Sequence, residues 1–441
     1  MPHSNKARVL LLTGGRAPAT LALARQLIRQ GYRIHMAESA TFYLCQASNA
    51  IERHHRVPSP RLNPKQYIAS LIRICQEAGI TALLPTCEEV FYIAHAHAEL
   101  SLYTTVLCEP LEVLLPLHNK AILMQDLLKE PPPWQNFVHS EEKKENTFQK
   151  ISEFTVPPTY VLNTASNLAG LLKEQGYLTH PQNTLHELRS PQRWVIKPAC
   201  SRFAQGQIRF KTPCTPKQLP TWASTTEEQS PYLLQPWLEG TLYCTYGWAF
   251  QGKLLSHVVY PSKVVAGQGG TLVFEKVAYP EIDAWVAAFV QQRCFSGQIA
   301  FDILCTVEGK AYVLDCNPRL TSGIHLLQSS IPLSHWLGSV TLQSSSQAFL
   351  AEPSVAPILY VSIGLWLYGF TSLVNPQQAP FFWKPLVQGQ DVVWDTTDVL
   401  PFFYQFICLG VLLWQAIYQG NGLLKQSTVD IEWNEASDAL L

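Results

Sequence analysis

Residues Gly297–Gly323 read GQIAFDILCTVEGKAYVLDCNPRLTSG. Two apolar runs flank Glu308-Gly309, so the stretch reads as strand, tight turn, strand. A two-residue loop there sets Val307 opposite Lys310 and, counting back, Asp302 opposite Asp315. Facing carboxylates on one ladder repel, and a buried charge needs a partner, so this pair predicts a cation between them. Asp315 and Asn317, two apart in an extended strand, point to the same face. Three oxygen-bearing side chains thus converge from neighbouring strands. That donor set suits Mg²⁺, which typically takes one or two carboxylates and completes its shell with water and phosphate oxygens. Glu-Gly is a second-rank hairpin dipeptide, and a bulge would shift the register by one. Strand-end carboxylates in water are the plain alternative.

A metal that favours phosphates directs attention to what could hold them. In RWVIKPA, Lys197 ends a strand ahead of Pro198, so its ammonium can face a cleft. The polar CSRFAQGQ that follows reads as a loop able to cover phosphates, although Gly206 is its single glycine. LLQPWLEG then offers an extended segment whose backbone could bond an adenine edge, with Trp237 and Leu238 flanking the ring; core packing explains Trp237 equally well.

Upstream, RVLLLTGGRAPATLALARQLIRQGYRIHMAES reads as strand, Gly turn, amphipathic helix and strand. Val9–Leu12 is the buried run; Leu21, Ala24, Leu27 and Ile28 fall at helical spacing, and Gly31 ends the helix. A helix over Pro64–Ala78, a strand over Ala82–Thr86 and a helix from about Cys87 continue the alternation, which predicts a parallel Rossmann-like unit to about residue 118. Its TGGRAPAT turn lacks both G-x-G-x-x-G and the Gly-Lys-Ser/Thr of a P-loop, so it reads as a tight strand-to-helix connection.

The chain has 441 residues, enough for about two to four units. Its 32 basic and 33 acidic residues balance, which argues against a nucleic-acid partner. Eleven cysteines show no C-x-x-C pair and no regular spacing, as expected for reduced thiols rather than a disulfide or zinc framework. The opening MPHSNKARVLLLTGG has only a short apolar run before a turn, so no secretory leader is expected and the reading is cytoplasmic.

Taken in order, from Arg8 to about Leu342, these pieces resemble the ATP-grasp superfamily of ligases, most specifically in FDI…VLDCNPRL. The resemblance implies an α/β chain (α+β in part). A Rossmann-like domain would span 1–118, and a connecting helix with an exposed charged insertion 119–155. A small lid subdomain would follow over 156–240, a large subdomain carrying the metal-binding hairpin over 241–350, and an apolar C-terminal extension over 351–441. Carried over by position, Asp302, Asp315 and Asn317 would hold Mg²⁺, with Mn²⁺ a substitute. Arg319 would face the transferring phosphoryl group, and Lys120 and Lys197 would bind phosphates. Gln235, Pro236, Trp237 and Leu238 would line the adenine, and Glu239 would stand in for the acidic ribose contacts absent at Pro236 and Leu242. The implied activity is activation of a carboxylate or enolate by ATP, followed by capture by an amine, such as an amino acid, or a thiol, with release of ADP and phosphate. The TGGRAPAT segment, together with VLPFFYQFICLGVLLWQAIYQ placed before a VDIEW strand, is similar to the bacterial subgroup that includes mycosporine-glycine synthases. Lys263, Gln268, Ser322 and His325 are placed by position near the acceptor, with His325 more simply read as structural.

Two other readings stand beside the enzyme. One is a non-catalytic nucleotide sensor or scaffold, which the glycine-poor loop favours and the intact Asp302, Asp315, Asn317 and Arg319 oppose. The other concerns Val399–Leu424, an uncharged run long enough to span a bilayer. Pro401, Gln405, Gly410 and Gln415 interrupt it, so packed core is preferred over an interfacial helix or a span. Contact of the C-terminal third with a membrane surface or partner protein is compatible with either function.

Overall fold

The computed structural model describes residues 8–134, 150–162, 165–174, 192–201, 206–214, 231–266, 269–327, 332–337, 358–368 and 379–433. The charged run after Trp134, half of the glycine-poor loop (202–205) and Gln268 lie outside these residues.

Five parallel strands, β1 (Val9–Thr13), β2 (Arg33–Glu38), β3 (Arg53–Arg56), β4 (Ala82–Leu84) and β5 (Thr105–Val106), form the first sheet in the order β3-β2-β1-β4-β5. β1 is buried throughout, which is why it reads as a continuous apolar run rather than an alternation. Helix Pro18–Arg29 opens on a proline, whose fixed φ suits the first turn. Helix Pro64–Ala78 closes on Gly79 at φ 60°. β4 stops at Leu84 and the next helix waits until Val90. The expected Thr86 strand end and Cys87 helix start fail because the Glu89 carboxylate accepts from the amides of Thr86 (3.1 Å) and Cys87 (2.9 Å), fixing a turn between them. Strand order reverses between β1 and β4, so a crevice opens at their C-terminal ends.

The second sheet, ordered β7-β10-β8-β9, is formed by β7 (Tyr160–Leu162), β8 (Gln192–Pro198), β9 (Ile208–Thr212) and β10 (Tyr232–Pro236). Trp194, Ile196 and Leu234 pack with Leu168 and Leu172 of helix Ala165–Glu174. Alternation therefore puts Val195, Lys197, Leu233 and Gln235 on the other face.

β11 (Thr241–Phe250), β12 (Lys253–Pro261), β16 (Gly297–Cys305) and β17 (Lys310–Asn317) build the third sheet, ordered β12-β11-β16-β17-β6. Its last member, β6 (Glu153–Thr155), runs parallel to β17. Helix Pro280–Gln292 covers one face, with Trp285 and Phe289 edge-on to Phe301 at 5.1 and 4.8 Å. Phe301 and Ile303 join that core, so Asp302 between them points the other way. Asp302 does pair with Asp315, yet the turn is one residue longer than expected. Thr306 N–H donates to the Lys310 carbonyl at 2.9 Å, replacing the expected Val307–Lys310 pair, and Gly309 takes φ 82° within the longer loop. A register shift between Asp302 and Ile303 cancels the offset.

Short strands β13 (Val265–Ala266) and β14 (Gly270–Thr271) form a hairpin, and β15 (Val273–Phe274), β18 (Ile358–Tyr360) and β19 (Gly389–Asp391) form a last small sheet. The chain then returns to the first sheet. Arg25 Nε donates to Asp398 Oδ2 at 2.9 Å, both groups buried, and Ser48 and the Asn49 amide bond the same carboxylate. Helix Leu400–Gln419 follows and lies on the turn Leu44–Ala47, with Tyr404 Oη bonding Gln46 at 3.0 Å. It is not the packed core expected: only Pro401, Gln405 and Ala416 are buried. Nor is VDIEW a strand. Asp430 turns to meet Arg16 (2.5 Å) and Ser39 (2.7 Å), and Ile431 N–H bonds Thr428 in a helical turn.

Candidate functional site

The functional side chains meet where the open face of the second sheet approaches β17. Lys120 is the first residue of helix Lys120–Lys129, and Asn119 caps that helix by accepting from Ala121 and Ile122 N–H. The Lys120 amide bonds Ala199 (3.0 Å), so the helix start is sewn to the end of β8. From there the nearly buried Lys120 Nζ reaches Asp315 Oδ2 at 3.1 Å and the Ser201 carbonyl at 3.2 Å. Lys197, on the cleft face of β8, reaches across to the Leu314 carbonyl at 3.3 Å. Two ammonium groups therefore converge on two successive residues of β17.

Opposite Asp315 stands Asp302. Burial and the facing Asp315 charge push the Asp302 carboxyl up to about 6, against the pull of Cys244, Lys120 and Arg319. Burial and the neighbouring Lys120 charge pull Lys197 down to about 8, with Asp315 and Asp302 acting in the other direction. Asp315 Oδ1 also accepts from the Cys316 amide at 2.9 Å. At the strand end, Asn317 Oδ1 accepts from Arg319 Nη2 at 2.9 Å, while Arg319 Nη1 donates to the Leu320 carbonyl.

The adenine-side residues are placed less uniformly. Gln235 lies on the same face as Lys197, but its side-chain amide donates to Thr159 Oγ1 at 2.7 Å. Pro236 pairs with Trp194 and so belongs to the opposite face. Trp237 is not core: it is half-buried with the Arg209 guanidinium 4.2 Å from its ring centroid. Its N–H donates to the Arg193 carbonyl at 2.8 Å and is used within the sheet. Leu238 is half-buried beside it, and the exposed Glu239 pairs with Arg193. Of the acceptor-side residues, Lys263 pairs with Glu275 at 3.1 Å. Ser322 and His325 sit in the single turn Ser322–Leu326. Burial pulls His325 down to about 3, so it is a neutral ring 5.5 Å from Phe274 rather than a titrating group.

Two neighbours were missed from the sequence. Glu88, almost fully buried, comes from the crevice after β4 and lies 3.9 Å from Arg319 Nη2. An acidic residue just past a parallel strand at a strand-order reversal was the available signal. Cys244 pairs directly with Asp302 across β11 and β16, and burial, then the Asp302 charge, raises its thiol far above the ordinary range.

Neither the protein-family models nor the curated proteins contain a match to this chain. Solved structures do. An L-amino acid ligase from Bacillus licheniformis superposes with TM-score 0.52 at 13% identity, over 80% of this chain and 79% of that one. A biotin carboxylase from Campylobacter jejuni superposes with TM-score 0.52 at 13% identity, over 74% and 69% of the two chains. An N5-carboxyaminoimidazole synthetase from Staphylococcus aureus reaches TM-score 0.51 at 10% identity, over 84% and 86%. At these identities the likeness establishes the fold, a Rossmann-like domain followed by an ATP-grasp fold.

Proposed function

We propose that the chain is an ATP- and Mg²⁺-dependent ligase that activates a carboxylate, or an enolate behaving like one, and joins it to an amine such as an amino acid, or to a thiol. The observation that carries this reading is the convergence of Lys120 and Lys197 on β17 beside the opposed pair Asp302 and Asp315. The three relatives named above, an amino acid ligase, a carboxylase and a carboxyaminoimidazole synthetase, support it by fold. Carbon–nitrogen bond formation is the finer reading, and likeness to mycosporine-glycine synthases the finest.

The residues present fit a magnesium ion. Asp302, Asp315 and Asn317 each offer an oxygen ligand, and burial together with the facing Asp315 charge holds the proton on Asp302 up to about 6, so a further cation beside the pair would favour its ionised form. When bound, Mg²⁺ would neutralise charge on the phosphate oxygens. The rest falls to the chain. Lys120 and Lys197 hold the phosphates by charge-assisted hydrogen bonds, and Arg319, steadied by Asn317 and Glu88, faces the transferring group. A substrate oxygen attacks the γ-phosphorus and the bond to the β-phosphate oxygen breaks, giving an acyl phosphate and ADP. The amine nitrogen then attacks the acyl carbon, phosphate leaves and the nitrogen loses a proton. Positioning and electrostatics carry such chemistry.

Thermal unfolding with ATP, with and without Mg²⁺, beside Asp315→Ala tests the site. Ligand at about 100 times Kd adds about 2.7 kcal/mol of stability. A magnesium-dependent upward shift that the variant loses supports the reading, and ADP release on adding amino acids and carboxylic acids then separates a ligase from a nucleotide sensor. No shift in the intact chain refutes it.

A further inference from the structure

Helix Leu400–Gln419 presents a largely apolar side outward. The face packed on the protein carries Pro401, Gln405 and Ala416. The exposed face carries Phe403, Phe406, Gly410, Leu413 and Ile417. These positions advance by three, four, three and four residues, the spacing of a single stripe along one helix face. Ile407 and Trp414 flank the seam, and Trp414 is 66% exposed. At its midpoint a Cβ on Gly410 would meet open space, so a second backbone can come close there. Trp394, 6.4 Å from Phe403 between ring centroids, extends the patch at one end.

We propose that this face is the two-fold interface of a homodimer, each copy contributing the helix Leu400–Gln419. Three observations select a second copy over a lipid surface. First, Val399–Leu424 contains no Asp, Glu, Lys or Arg. Two identical faces can therefore oppose without like-charge repulsion, as an isologous contact requires, whereas a helix lying on a bilayer draws affinity from Lys and Arg on its polar face. Second, the exposed residues line one stripe of the helix with Gly410 open at its centre, a relief that a second helix can pack into at close range. Third, the outward aromatic and aliphatic side chains offer on the order of 700 Å² per copy, close to the ~800 Å² each partner gives to a standard interface. A membrane span is opposed by the packing of Gln405 and Ala416 and by the Tyr404–Gln46 hydrogen bond, which hold the helix against the first sheet's domain.

The test is the mass of the full-length protein in solution, by light scattering and sedimentation equilibrium at micromolar concentration, for the unaltered chain and two variants. Ile417→Lys places a charge at an 81% exposed seam position, and Gly410→Phe fills the close-approach point without charge. Leu102→Lys, at a 77% exposed leucine in the first domain, is the control. The expected result is a dimer for the unaltered and control chains, and a dissociation constant raised at least about 100-fold in the two seam variants with unchanged circular dichroism. A monomeric unaltered chain overturns the proposal. So does a dimer that survives both seam variants, or a monomer that floats with phosphatidylcholine vesicles.

Discussion

Replacing Asp302 with Asn should stabilise the nucleotide-free protein while removing its response to nucleotide. Asp302 faces Asp315 on the ladder, and burial with that like charge holds its carboxyl up to about 6. An unfolded chain leaves the same group near ~4. The folded state therefore binds its proton more tightly, so Asp302 contributes stability below pH ~4 that is lost as pH rises through about 6. The difference corresponds to about 3 kcal/mol at full strength, and solvent reaching this half-buried side chain trims it to about 1–2 kcal/mol. Asn keeps the shape and removes the charge. Urea unfolding of both proteins from pH 4 to 8 should show little difference at the acid end, an advantage for Asp302→Asn that widens between about pH 4 and about pH 6, and a plateau above it. The same variant should lose most of the thermal shift produced by ATP with Mg²⁺. Parallel pH profiles would refute the opposed-charge account of the site.

Lys197 loses its proton near pH 8 because burial and Lys120 disfavour its charge, so ATP affinity measured by calorimetry should fall between pH 7 and 9, approaching tenfold per unit once the free lysine is neutral. Lys197→Arg should flatten that profile, and Lys197→Met should weaken binding by about 1.5–3 kcal/mol. Arg25→Met should cost about 3–5 kcal/mol in urea unfolding, since it strands the buried Asp398 carboxylate; adding Asp398→Asn should recover much of the loss.

The sequence exposed the central hairpin because its signal is local and periodic. Even so, Asp302 meets Asp315 through two offsets of opposite sign, of which the sequence reading allowed only for a bulge and not for the longer turn. Gly309 gives the turn its left-handed residue and hence an extra member, and a bulge beside Asp302, which leaves no mark in residue types, restores the register. Long-range contacts leave little trace in the local sequence; only the family resemblance grouped Lys120 and Lys197 with Asp302 and Asp315. Nothing near Lys197 indicates that its ammonium ends on the Leu314 carbonyl, and nothing near Glu88 indicates Arg319. The helix Leu400–Gln419 misled for a related reason. Apolar composition shows that a face avoids water, but not whether the cover comes from the same chain.

The ion pair between Lys120 and Asp315 has a consequence for how ligands enter. In the nucleotide-free chain the two groups neutralise each other at 3.1 Å, and Lys120 is 5% exposed. A phosphate that draws Lys120 away leaves Asp315 facing Asp302 with its nearest positive charge gone, a configuration whose cost is several kcal/mol when the groups are buried. A cation that takes Asp315 leaves Lys120 buried without its carboxylate, at a similar cost. Each ligand alone therefore breaks a satisfied contact, while both together replace every contact they disrupt. Binding should be strongly cooperative: the thermal shift with ATP and Mg²⁺ together should exceed the sum of the shifts with either alone, and in Lys120→Met, where no ion pair holds Asp315, the magnesium shift without ATP should be the larger one. Additive shifts in the unaltered chain would mean that Lys120 and Asp315 are partners of convenience on opposite sides of the cleft, and that the ion pair does not gate the site.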